Sequence, residues 1–75
     1  MNQKFDALAQ QQKEMLDDLV VRNKKLAFGS TFRGLVQCSL IEMIDVMGYR
    51  YEYLRKNEPE RFSVSDQDWW NNAYS

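Results

Sequence analysis

The chain has 75 residues, 44% hydrophobic, 28% charged and 13% aromatic, with ten Lys and Arg against eleven Asp and Glu for a net charge of −1; this is the composition of one small globular domain, not of a disordered or fibrous chain. One cysteine and no histidine exclude an intramolecular disulfide, a Cys/His zinc site within one chain, and histidine-based acid–base or nucleophilic catalysis. The balanced charge gives no long-range field toward nucleic acid, and no apolar run has the length of a signal-peptide core or a membrane span, so a cytoplasmic chain without membrane contact is expected.

From Phe5 to Ala27 the apolar residues Phe5, Leu8, Ala9, Met15, Leu16, Leu19, Val20, Leu26 and Ala27 recur at three- and four-residue intervals among Gln, Lys, Glu and Asp. With no Gly or Pro inside it, this segment predicts one amphipathic helix over about residues 3–27. Gln12 and Asn23 interrupt the stripe; Gln12 reads as a register-fixing polar residue of paired helices, and Asn23 as a solvated residue near the helix end.

Phe28-Gly29-Ser30-Thr31 is the expected break, with Gly29 terminating the first helix and Ser30 or Thr31 capping the next. A second helix over about residues 31–56 then carries a main stripe of Phe32, Leu35, Val36, Leu40, Met43, Val46, Met47, Tyr51 and Leu54, with Cys38, Ile41 and Ile44 away from its centre. Between Leu35 and Met47 it is apolar almost all round, so it must be covered on more than one side. Gly48 weakens this helix without ending it, and Asn57-Glu58-Pro59 ends it. Two helices of such length give matched arms of roughly 37 Å at 1.5 Å per residue. The fold class expected is therefore all-α: residues 1–61 form an antiparallel helical hairpin, followed by a separate aromatic tail over residues 62–75 with a short helical segment. A chain this small has a marginal core of its own, and with the usual staples excluded the hairpin is expected to dimerise into a coiled-coil-like four-helix bundle through Phe32, Leu35, Val36, Leu40, Met43 and Met47.

The tail holds four of the ten aromatic residues, Phe62, Trp69, Trp70 and Tyr74. Ser65-Asp66-Gln67-Asp68 resembles a capping box and predicts two helical turns over Asp66 to about Ala73. Adjacent Trp side chains on a helix diverge by about 100°, so one is expected to finish the core and the other to face outward. Trp and Tyr dominate interface energetics and acidic neighbours steer toward basic surfaces, which makes Asp66, Asp68, Trp69, Trp70 and Tyr74, together with Ile41 and Ile44, the candidate partner contacts.

Arg22, Lys24 and Lys25, with Arg50, Arg55 and Lys56, form two basic clusters, but charges near helix C-termini are usually solvated and the clusters sit at opposite ends of the hairpin. The carboxylates Glu14 and Asp17, and Glu42 and Asp45, are each three apart without a convergent base or nucleophile, and Cys38 reads as an inert core thiol. No enzyme, metal or cofactor is expected. The reading is a small non-catalytic protein-binding regulator or inhibitor, of the kind viruses and mobile elements encode, acting as a homodimer on another protein. A nucleic-acid-binding hairpin dimer using Arg22, Lys24 and Lys25, or a structural assembly subunit, is the alternative.

Overall fold

A computed structural model describes residues 3–71. Its regular elements are α1 (Gln3–Asp6), α2 (Gln10–Val21), α3 (Lys25–Leu35), α4 (Leu40–Asn57), a 3-10 turn at Pro59–Arg61 and α5 (Asp66–Asn71), with no strand among the described residues. The protein is all-α, as composition and periodicity require, but the two expected long helices are cut differently.

The first cut falls at Arg22–Lys24, inside the segment expected to be one helix over residues 3–27. Asn23 adopts φ 62°, a left-handed conformation that Asn tolerates better than other side chains. Its amide donates to the Val20 carbonyl at 3.0 Å and the Lys24 amide donates to the Leu19 carbonyl at 2.8 Å, the pair of bonds that closes a Schellman turn. Asn23 is thus a buried C-terminal stop for α2 and not a solvated residue; it is 7% exposed and its Oδ1 accepts from Lys25 Nζ. A smaller cut at Ala7–Ala9 precedes α2, where Gln12 Oε1 accepts the Ala9 amide at 3.0 Å. Gln12 therefore ties the first turn of its own helix, the local role that a residue at this position plays.

Gly29, Ser30 and Thr31 do not form the turn: all three lie inside α3. Gly29 is buried because α4 crosses it closely; a Cβ there would stand 2.9 Å from Met43 Cε. The loop that does separate the helices is Val36–Ser39, and it ends in a capping box. The Glu42 amide donates to Ser39 Oγ at 3.1 Å and the Ser39 amide donates to a Glu42 carboxylate oxygen at 3.0 Å, satisfying two of the orphan donors at the start of α4. α4 runs through Gly48 and stops at Asn57, before Pro59, as the sequence indicates.

The core is built from Phe5 of α1, Leu16 and Val20 of α2, Phe28 and Phe32 of α3, Met43, Val46, Tyr51 and Leu54 of α4, and Trp69 of α5. Phe28 and Phe32 stack with centroids 5.9 Å apart. α4 is covered by α2 and α3 together, and Phe62, Val64 and Cys38 pack against the same core. Within one chain these elements cover α4 on more than one side, but Leu40, Ile41 and Ile44 of its apolar stretch stay exposed. The longest dimension is 31 Å, shorter than the roughly 37 Å arm of a 25-residue helix at 1.5 Å per residue.

Candidate functional site

At the corner where α3 gives way to α4, Leu35, Leu40, Ile41 and Ile44 all keep an open side. Ile41 is 72% exposed, Leu40 53% and Ile44 49%. On a helix Ile44 neighbours both Leu40 and Ile41, at four- and three-residue spacing. All three lie in the first turns of α4, where Leu40 and Ile44 border the core-facing stripe of Met43, Val46, Tyr51 and Leu54 and Ile41 stands furthest from it. Gly48 continues the open side one turn further on, with no atom within 4 Å of where its Cβ would be.

The patch is carried on a fixed platform. Besides the Ser39–Glu42 box, Lys4 Nζ donates to a Glu42 carboxylate oxygen at 3.0 Å and to the Gln37 carbonyl at 2.8 Å, so α1 clamps the first turn of α4 and the loop before it. The Ser39 backbone bond, reinforced by Lys4, holds the exposed Glu42 carboxyl below its ordinary value. Because the turn is already ordered, covering it costs little backbone freedom, and only the side chains have freedom left to lose. Each such side chain is worth about 1.5–3 kcal/mol on passing from full exposure to full burial.

Other residues singled out from the sequence are distributed differently. Phe32 and Met43, expected at a dimer interface, are inside the chain's own core, while Val36 and Met47 pack half-buried against it. Trp69, expected among the partner contacts, is completely buried, whereas its neighbour Trp70 is 51% exposed and lies edge-on to Tyr51 and Trp69. The helical segment expected around them is present as Asp66–Asn71, with the Asp68 amide donating to Ser65 Oγ at 3.1 Å. Asp66 accepts a hydrogen bond from the Tyr51 hydroxyl, and Asp68 is exposed. Tyr74 lies outside the described residues.

The cations do not gather into one surface. Arg22 pairs with Asp18 at 3.0 Å, Lys25 Nζ bonds Asn23 and the Trp69 carbonyl, and Lys24 is exposed. Arg50 bridges to Asp17 through two hydrogen bonds at 3.0 and 2.8 Å, with its guanidinium over the rings of Phe5 and Tyr53 at 4.6 and 4.5 Å. Arg55 lies over Phe62 at 4.0 Å and donates to the Val64 carbonyl at 3.1 Å. Of the carboxylates considered as pairs, Glu14 accepts from Gln10, Asp17 holds Arg50, Glu42 is tied to Ser39 and Lys4, and Asp45 is exposed. Among the described residues no cluster of His, Cys, Asp or Glu has the geometry to hold a metal ion, and no helix is long and apolar enough to cross a membrane.

Two surface features were not singled out from the sequence. Leu26 is 58% exposed because the Asn23 turn takes it off the α2 stripe to which periodicity assigned it. A shallow groove on the last turns of α4 is lined by Tyr49, Glu52, Tyr53, Lys56 and Asn57; the four-residue spacing of its tyrosines and of Glu52 and Lys56 was the available signal. No protein-family model, curated protein or solved structure matches this chain.

Proposed function

We propose that the chain is a small non-catalytic protein-binding module that regulates a target protein through the outer face of the first turns of α4, with Leu40, Ile41 and Ile44 as the contact. The observation that carries this reading is the exposure of three large aliphatic side chains on one turn-and-a-quarter of helix in a chain that otherwise closes its own core. Contiguous apolar surface of that kind on a small domain marks an interaction site more often than scattered single residues do. The placement of the cations favours it over nucleic-acid binding: Arg22 and Arg50 are each neutralised by an aspartate, and Arg55 and Lys25 are turned onto the C-terminal segment.

Site-specific photo-crosslinking in the source cell tests it. A photoreactive phenylalanine at Ile41 is expected to give one discrete covalent adduct that disappears when Ile44→Asp is added and that the same group at Lys24 does not give. An adduct of two copies of the chain would assign the face to a homodimer instead of a target. No adduct, or equal adducts from Ile41 and Lys24, would remove the face from the argument.

A further inference from the structure

Residues 62–71 are held differently from the rest of the fold. α5 has six residues, too few for a helix to persist by itself in water. Within the segment only Trp69 is fully buried, with Phe62 and Val64 half-buried and the rest exposed. The body offers it a socket of complementary chemistry. The Tyr51 ring stacks on the indole with centroids 3.9 Å apart, the Lys25 ammonium stands 4.2 Å from the indole centroid, and the Val20 carbonyl accepts the indole N–H at 2.8 Å. Around it, Tyr51 donates to Asp66, Lys25 to the Trp69 carbonyl and Arg55 to the Val64 carbonyl. The body thus supplies cations and a phenol, and the segment supplies a carboxylate, carbonyls and one indole.

We propose that residues 62–71 are a releasable insert and that the socket beneath it accepts the same insert from a second copy of this chain. Every bond just described joins the insert to residues between Val20 and Arg55, so an insert arriving from a second copy makes all of them again. The hinge between body and insert is the 3-10 turn at Pro59–Arg61. Its bonds are local ones, Arg61 amide to Glu58 carbonyl and Phe62 amide to Pro59 carbonyl, each 3.1 Å, with an Arg61–Glu58 ion pair across the same turn. Opening it breaks exposed, short-range contacts and no buried one. Exchange therefore sacrifices no packing in the core and costs mainly the association of two chains, the circumstance in which reciprocal exchange of an element occurs. None of the bonds the insert makes involves Leu40, Ile41 or Ile44, so the exchange is tested separately from the docking face.

The test uses the full-length chain and a fluorescent synthetic peptide of residues 58–71 standing for a second copy's insert. Saturable binding is expected, abolished by Trp69→Ala in the peptide, and at least tenfold tighter on a full-length chain carrying Trp69→Ala, whose socket is vacant. Should circular dichroism show that this chain does not fold, the full-length chain carrying Asp66→Asn, which loosens the insert without removing the indole, serves for the same comparison. Sedimentation of the unaltered chain is expected to show a dimer that grows with concentration and declines as peptide is added. Absence of saturable binding, binding indifferent to Trp69→Ala in the peptide, or a chain that stays monomeric at every concentration overturns the proposal.

Discussion

The indole N–H of Trp69 donates to the main-chain carbonyl of Val20 at 2.8 Å, joining residues 49 apart in sequence. That carbonyl belongs to the last turn of α2, where intrahelical donors run out. It also accepts the Asn23 amide at 3.0 Å, so the Trp69 side chain and the Schellman turn close the same helix end. Burying a Trp requires a partner for its N–H, and here the partner is a group that another element leaves open.

Trp69→Ala removes a fully buried aromatic, a change of roughly 3–5 kcal/mol. A chain of this length has a total stability of about 4–11 kcal/mol at ~0.05–0.15 kcal/mol per residue, so the variant is expected to sit at the edge of folding. Trp69→Phe keeps a ring on Tyr51 but loses the bond to Val20 and leaves a smaller cavity, for about 2 kcal/mol. Trp70→Ala loses edge-on contacts worth about 0.5–1.5 kcal/mol. Urea midpoints followed by far-ultraviolet circular dichroism should place Trp69→Ala far below the other two; a midpoint for Trp69→Ala close to that of Trp70→Ala would contradict the burial.

Which Trp turns inward was not legible, because the choice depends on a carbonyl contributed by a distant helix. What was legible are features with a local cause. The stop at Asn57-Glu58-Pro59 and the start at Ser65 follow from proline and from a capping hydroxyl. Ile41 and Ile44 stood out because they lie off the core stripe of their helix. The break at Asn23 was masked by apolar periodicity that runs straight across it, and the left-handed Asn there has no glycine to announce it. Gly29 looked like a terminator, yet its use is the close approach of Met43 to α3, a tertiary demand. The real turn carried a readable signature, Ser39-Leu40-Ile41-Glu42, hidden inside a stretch whose continuous hydrophobicity favoured one long helix.

Asp17 and Arg50 test whether the inner ion pair stabilises or only has to be complete. Both side chains are 13% exposed. Burial pulls the Arg50 guanidinium's pKa down, while the bonds and charge of Asp17 more than reverse this and hold it above its ordinary value. Asp17→Asn leaves a half-buried cation short of its counter-charge, at a cost of about 1–3 kcal/mol, between that of an exposed pair and that of a fully buried one. The double variant Asp17→Leu with Arg50→Met removes both charges and is expected to lose less than Asp17→Asn alone, because apolar replacement of a whole buried pair is often close to neutral. A double-mutant cycle of urea midpoints checks this. Strictly additive losses would show that the two side chains act separately.

Backbone conformation gives opposite expectations at two exchangeable positions. At Asn23, φ is 62°; Asn23→Ala forces a side chain with no local hydrogen bond into the left-handed region, for about 1–2 kcal/mol. Asn23→Gly relieves the conformation but forfeits the bond from Lys25, and the two effects nearly cancel. Gly48 lies inside α4 with open space around it and an ordinary helical φ. Gly48→Ala is therefore expected to stabilise by about 0.5–1 kcal/mol. Thermal midpoints of the three variants should fall in the order Gly48→Ala, Asn23→Gly, Asn23→Ala.

Tyr51 makes the C-terminal segment sensitive to alkali. Burial raises its phenol above the ordinary value and the bond to Asp66 adds to this, with Arg55 opposing. A folded-state pKa raised above the unfolded one contributes stability that is complete below the unfolded value, near 10, and is lost as pH climbs through the folded value. Ionisation would also set a phenolate against the Asp66 carboxylate, converting a clasp into a repulsion. Lys25 works the other way: burial lowers its pKa, so the unfolded chain holds that proton to higher pH and this contribution favours the folded state as pH rises. Tyr51→Phe separates the two. It keeps the ring against Trp69, gives up the bonds to Asp66 and Arg55, and is expected to be less stable at neutral pH yet to lose less on going from pH 8 to pH 11. Absorbance titration at 295 nm should reveal in the unaltered chain a phenol ionising above the ordinary range together with loss of structure, and Tyr51→Phe should remove that step. If the step survives the substitution, the alkaline transition belongs to another group and the Tyr51–Asp66 clasp is not what closes the C-terminal segment.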